Sequence, residues 1–196
     1  MLKRSSLIAA ALTLACGGSP APETGVPGPS KRAIADIPDW VLTPPKDTPT
    51  QSYASGQGES RDMSIAVNAA EADARNKIAQ GISVDMQSLD EKFQSSVRGT
   101  AGGEEVLNTY RQAVRAVTNT TLSGSRVAQR KVTADPSGTS YRVYVLMELD
   151  KGAMKSALMD KVKADDALYT RFRASQAFSD LDDQIKKANE AKGAKP

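Results

Sequence analysis

The chain has 196 residues, with 26 Lys and Arg against 23 Asp and Glu and a formal charge of +3. That length holds about one domain with extensions, and that balance argues against a nucleic-acid binder. There is no His, and the single cysteine is Cys16. This removes the commonest general base and metal ligand at neutral pH, any disulfide within the chain, any cysteine-based zinc site and any Ser-His or Cys-His pair. No catalytic residue, metal or cofactor is expected.

Lys3 and Arg4 precede the apolar run Leu7 to Ala15 and then Cys16, the order of a targeting segment. Nine apolar residues do not span a bilayer, which needs roughly 20 in a helix. Leu12-Thr13-Leu14-Ala15-Cys16 resembles a bacterial lipobox, in which cleavage before the cysteine is coupled to lipidation of its thiol and new amine. Thr13 stands where leucine is usual, while Ala15 and Cys16 match. The alternative is an ordinary signal peptide followed by a free thiol. Lipidation at Cys16 implies a membrane anchor, because each buried CH₂ contributes ~0.8 kcal/mol and two or three chains hold stably. Gly17 rather than Asp follows the cysteine, which resembles an outer-membrane address. Removal of residues 1–15 takes away Lys3 and Arg4 and leaves a side-chain balance of about +1.

From Cys16 to Asp36 the chain is rich in Pro and Gly without sustained periodicity, so it reads as a tether, semi-extended at roughly 3 Å per residue. Ile37-Pro38-Asp39-Trp40-Val41 follows, with the only tryptophan, and then a second Pro-rich run from Thr43 to Thr50. Trp40 reads either as a ligand-stacking residue or as an apolar plug tying the linker to the domain.

Tyr53, Ser55 and Gln57 alternate with Ala54, Gly56 and Gly58, as in a short strand whose glycines let it pass close to a neighbour. Ser60 is expected to cap the next helix, with Glu59, Asp62 and Ser64 placing acceptors at its start. The helix runs to about Gln80 with Ala66, Ala69, Ala70, Asp73, Ala74, Lys77 and Ile78 on one stripe. Gly81 is expected to stop it. Ile82, Val84 and Met86 then alternate with polar residues, predicting a half-buried strand.

The order Ile37-Pro-Asp-Trp-Val, Tyr53-Ala-Ser-Gly-Gln-Gly, a helix carrying Ala70, Ala74, Arg75 and Ile78, and a segment ending near Gln87-Ser88 resembles the Lpp-twenty lipoproteins. These are small outer-membrane or surface-associated lipoproteins, and the module is similar to the amino-terminal domains of some flagellar-assembly proteins. The resemblance covers residues 37 to about 150. It implies a lipoprotein domain and an envelope or flagellar context, and it brings no catalytic residues.

Leu89 to Gly103 is read as a mobile loop, the alternatives being a continued strand or a short helix around Glu91 to Val97 before the glycines. Its glycines lack the Lys-Ser/Thr pair of a phosphate-binding loop, and Gly56-x-Gly58 lacks the third glycine of a dinucleotide fingerprint. Glu104 to Thr118 carries Val106, Leu107, Tyr110, Ala113, Val114 and Val117 at helical spacing. Thr121–Ala134 and Ser140–Asp150 are expected to pair as a hairpin around Asp135-Pro-Ser-Gly138. In its second strand Tyr141, Val143, Val145, Met147 and Leu149 form the core face, and Arg142, Tyr144, Leu146 and Glu148 the other. Alternation gathers Arg126, Arg130 and Arg142 beside Tyr144, a surface for an anionic glycan, lipid headgroup or acidic protein. The plainer reading is long basic side chains on a solvated face.

Lys151 to Lys163, then Leu168, Phe172, Phe178, Leu181 and Ile185, read as one bent helix or two, followed by a fraying tail from Lys186. The aromatics predict packing on the domain or on a partner, so Phe172 and Phe178 join the candidate partner surface. The whole is expected to be an α+β domain over residues 37–150: a twisted, mostly antiparallel sheet of about four strands with helices on one face, and a helical extension over 151–196. The functional expectation is a non-enzymatic, lipid-anchored outer-membrane adaptor or assembly component whose sheet face and last helix contact an envelope or flagellar protein or its own copies, with a sheet edge as a further association surface. Rival readings are a peptidoglycan-binding module using Arg126, Arg130 and Arg142, and a glycan-cleaving enzyme using Asp73 and Asp85.

Overall fold

The computed structural model describes residues 36–135 and 138–194. After a short helix α1 (Asp39–Leu42) come β1 (Gln51–Ser60), α2 (Met63–Val97), α3 (Gly103–Ser123), β2 (Arg126–Ala134), β3 (Tyr141–Asp150), α4 (Lys151–Lys163), α5 (Asp166–Arg173) and α6 (Gln176–Gly193). The fold is α+β. Its sheet has three antiparallel strands in the order β1-β3-β2, so the last strand in sequence is central and both other strands are edges.

The seam between β1 and α2 sets the geometry. A Cβ on Gly56 would lie 2.2 Å from the Ala70 carbonyl oxygen and 2.4 Å from the Ala74 nitrogen; one on Gly58 would lie 2.3 Å from the Ala66 carbonyl oxygen. Backbone therefore lies on backbone, and only glycine opposite alanine permits it. Ala66, Ala70 and Ala74 are fully buried there. Asp62, rather than Ser60, caps α2: its carboxylate accepts from the backbone N–H of Ser64 at 2.7 Å and of Ile65 at 3.2 Å.

Gly81 does not end this helix. The buried stripe continues as Ile78, Ile82, Met86, Leu89, Phe93 and Val97, and Gly81 lies on the exposed side, where an added Cβ would meet nothing. Three- and four-residue steps persist through the glycine, so tertiary packing outweighs its roughly 1 kcal/mol helix penalty. Ile82 and Met86 are one helical turn apart on the buried side while Val84 is 69% exposed. The expected strand over 82–86 and the expected loop over 89–103 are thus helix up to Val97, and the sheet has three strands instead of about four. A turn with left-handed Gly99 and Gly102 leads into α3.

The β2–β3 hairpin is as expected, except that α3 extends to Ser123 and β2 begins only at Arg126. On β3, Val143, Val145, Met147 and Leu149 face the core; Tyr144 and Leu146, on the opposite face, are also buried. Helix α1 packs against β1 and β3 and leaves Trp40 half-buried.

Helices α4, α5 and α6 join the same core. Phe93 of α2, Tyr110 of α3 and Phe172 of α5 have ring centroids 5.1–5.3 Å apart, and Phe178 of α6 lies 6.1 Å from Phe172. The carboxy-terminal segment is three helices where one or two are expected, interrupted where Asp165 and Ser175 cap the next helix. The expected fray does not begin at Lys186: Ala188 is buried, and Lys192 Nζ donates to Asp150 Oδ2 at 3.1 Å.

Candidate interaction surface

The two sheet edges differ in chemistry. Alternate residues of a strand turn their N–H and C=O groups to the same side, and on β1 those of Tyr53, Ser55 and Gln57 point away from β3. Side chains occupy three of these six groups. Asp47 Oδ1 accepts from the Tyr53 N–H at 3.1 Å, Lys77 Nζ donates to the Ser55 carbonyl at 2.9 Å, and Asp73 Oδ2 accepts from the Gln57 N–H at 3.0 Å. Lys77 also pairs with Asp73 at 2.8 Å. At Asp73 partial burial favours the neutral acid, but the Lys77 and Gln57 donors outweigh it and hold the carboxyl below the usual range. Asp47 balances in the same way: burial opposes the charge, and donors from Lys151, Ser52 and Tyr53 prevail.

Strand β2 has no such cover. Every residue from Arg126 to Ala134 is exposed except the half-buried Thr133, and the outer backbone groups of β2 find no partner among the described residues. Its register with β3 shifts between Val127 and Gln129, a bulge at Ala128. That extra residue reverses the alternation. Arg126, Gln129, Lys131 and Thr133 pair with Glu148, Leu146, Tyr144 and Arg142 on the outer face; Val127, Arg130, Val132 and Ala134 pair with Met147, Val145, Val143 and Tyr141 on the helix face.

The expected cluster of arginines is therefore divided. Arg130 turns to the helix side and pairs with Glu71 of α2. Arg126 pairs with Glu148 at 2.9 Å, and Arg142 reaches Glu59 at 2.8 and 3.1 Å. The Arg142 guanidinium and the Ser140 hydroxyl together hold the Glu59 carboxyl below its ordinary range. Tyr144 is on the same face as Arg126 and Arg142 but is 3% exposed. Phe172 is fully buried and Phe178 half-buried in the aromatic cluster, so neither forms an open contact surface. Cys16 lies outside the described residues. Sequence reasoning passed over Asp47, Glu71 and Lys131, and read Glu59 only as a helix-start acceptor and Lys77 only as part of the helix stripe; the ion pairs of Asp47, Glu59 and Glu71 join residues far apart in the chain, and nothing local marks the bulge.

Asp73 and Asp85 sit on one helix twelve residues apart, about 18 Å along its axis, against roughly 5–9.5 Å for a glycosidase pair. Asp85 is exposed and Asp73 is held by Lys77, so the two do not share a cleft. An open groove of about 370 Å³ between α2 and α3 is lined by Ile82, Met86 and Val114, with one carboxylate, Asp90, held in a two-bond pair by Arg111. Among the described residues no group of three or more Asp, Glu, Cys or His could hold a metal, and no helix is long and apolar enough to cross a membrane.

This arrangement defines a small α+β domain with one sealed and one open sheet edge. The family model of the LPP20 lipoprotein matches residues 38–150, and the chain belongs to that family. The match begins at Pro38, one residue before α1, and ends with β3, so α4–α6 complete the core from outside it. No curated protein and no solved structure matches the chain.

Proposed function

We propose that the chain is a non-enzymatic adaptor or assembly component of the bacterial envelope, held to the outer membrane by lipid on Cys16 and presenting its domain at the end of the Pro/Gly-rich tether. Membership of a lipoprotein family supports the anchor, and the lipobox-like run ending in Cys16 followed by Gly17 supports its site and address. The observation that carries the adaptor reading is the open strand β2, exposed on both faces and paired along one side. A strand edge whose outer backbone groups lack partners is a template for pairing with another chain. A flagellar setting is one context for such a partner, suggested by the similarity of the module to flagellar-assembly domains.

The test is photocrosslinking in live cells from Gln129 on β2 and, separately, Gln112 on α3, both exposed, with a Cys16→Ala strain as the unanchored control. The expected result is one dominant envelope protein captured in the anchored strain and lost in Cys16→Ala. Absence of any adduct with another protein from either position would overturn the adaptor reading.

A further inference from the structure

We propose that β2 accepts one more antiparallel or parallel strand from a partner protein, and that this strand alternates apolar, β-branched residues with carboxylates. The inference rests on the adaptor reading for its setting and adds the mode and chemistry of contact. The central contrast is between the edges. At β1, Asp47, Lys77 and Asp73 take up three of the outward backbone groups that a new strand would need. At β2, the run Gln129–Ala134 beyond the bulge is regular, exposed and unsealed among the described residues.

The two faces of that run dictate the incoming side chains. A strand laid against β2 places successive residues on opposite faces. On the helix face of that run, between Arg130 and Ala134, it meets Val132, which is 41% exposed; an apolar residue there removes area that β2 now leaves in water. On the outer face it meets Lys131, which has no ionic partner among the described residues, whereas Arg126, Arg130 and Arg142 are each paired with a glutamate. A carboxylate opposite Lys131 supplies the missing partner.

The same charges argue against a second copy as the occupant. Two β2 strands side by side, in a register that sets Lys131 opposite its counterpart, bring two cations without an ionic partner among the described residues against each other, and like charges across a ladder are unfavourable. The bulge at Ala128 adds a further mismatch. Strand β2 is thus guarded against itself and receptive to an acidic strand.

Amide hydrogen exchange of the full mature chain, purified from its membrane in detergent, tests this with two synthetic peptides, Thr-Val-Glu-Val-Glu-Val-Thr and its Lys-for-Glu counterpart. The Glu peptide is expected to slow exchange within Gln129–Val132 and to bind more tightly than the Lys peptide. In Lys131→Glu, whose side chain lies on the exposed face, the preference is expected to swing by about tenfold toward the Lys peptide. Equal binding of both peptides, a preference unmoved by Lys131→Glu, or protection confined to other elements would overturn the proposal. The two readings fail separately: capture of a partner from Gln112 with no capture from Gln129 and no protection of β2 leaves the adaptor standing and removes strand addition.

Discussion

Strands β1 and β2 flank the same central strand, yet one is locked into the protein and the other is not. Gly56 and Gly58 let β1 touch the α2 backbone, and three charged side chains close its outer edge. Strand β2 touches chiefly β3. The difference lies in side-chain volume and in where charges fall: small residues draw a helix down onto β1, while the bulged, cationic β2 lies beyond the helix layer. Stability is concentrated on one side of the sheet and accessible backbone on the other.

The sharpest break in this contrast is Gly56→Ala. Its new methyl would stand 2.2 Å from the Ala70 carbonyl, and backbone has little room to yield, so a loss of about 2–4 kcal/mol in unfolding free energy is expected, read by urea denaturation. Gln129→Ala on β2 should stay within ~0.5 kcal/mol. Equal effects at the two strands would remove the comparison.

Removing the seal comes next. Asp73→Ala withdraws the acceptor of the Gln57 N–H and the partner of Lys77, with an expected cost of about 1 kcal/mol, because water can replace part of what is lost. Amide exchange at Gln57 should accelerate while β2 is unchanged. The pH dependence has a definite sign. The carboxyls of Asp47 and Asp73 are lowered in the fold, so the native state binds fewer protons than the unfolded chain. Their stabilisation is complete above the unfolded carboxylate value of about 3.9 and is lost as pH falls through the lower folded values. Denaturation midpoints should therefore drop below about pH 4, and less steeply in Asp73→Ala.

The smallest expected effect has the opposite sign. Gly81→Ala should stabilise the chain by about 0.5–1 kcal/mol in thermal unfolding, because a Cβ there meets nothing and α2 is helical through that point. Destabilisation would mean that the backbone at Gly81 departs from a helix.

Much of the β1 side was readable from local pattern. Glycines alternating in a strand, followed by alanines at helical spacing, announce a close strand–helix contact, and Asp135-Pro-Ser-Gly138 announces the hairpin. The stretch from Ile82 to Met86 misled because residues at i and i+4 satisfy a two-residue alternation as well as a helical one; only Leu89, Phe93 and Val97, one or two turns later, settle the period. The arginines misled for a related reason. Strict alternation puts Arg126 and Arg130 on one face, and a single extra residue at Ala128 reverses everything after it.

What the sequence by itself determined is the hairpin, the small-residue seam and the core run Val143, Val145, Met147 and Leu149 of β3. Each rests on residues that are neighbours or one turn apart. Tertiary structure alone decided how far α2 runs, that Phe93, Tyr110 and Phe172 meet, which glutamate neutralises each arginine, and that β1 is closed while β2 is open. Those outcomes depend on contacts between residues tens of positions apart, such as Arg130 with Glu71 or Arg142 with Glu59, whose geometry exists only once the sheet and helices have packed.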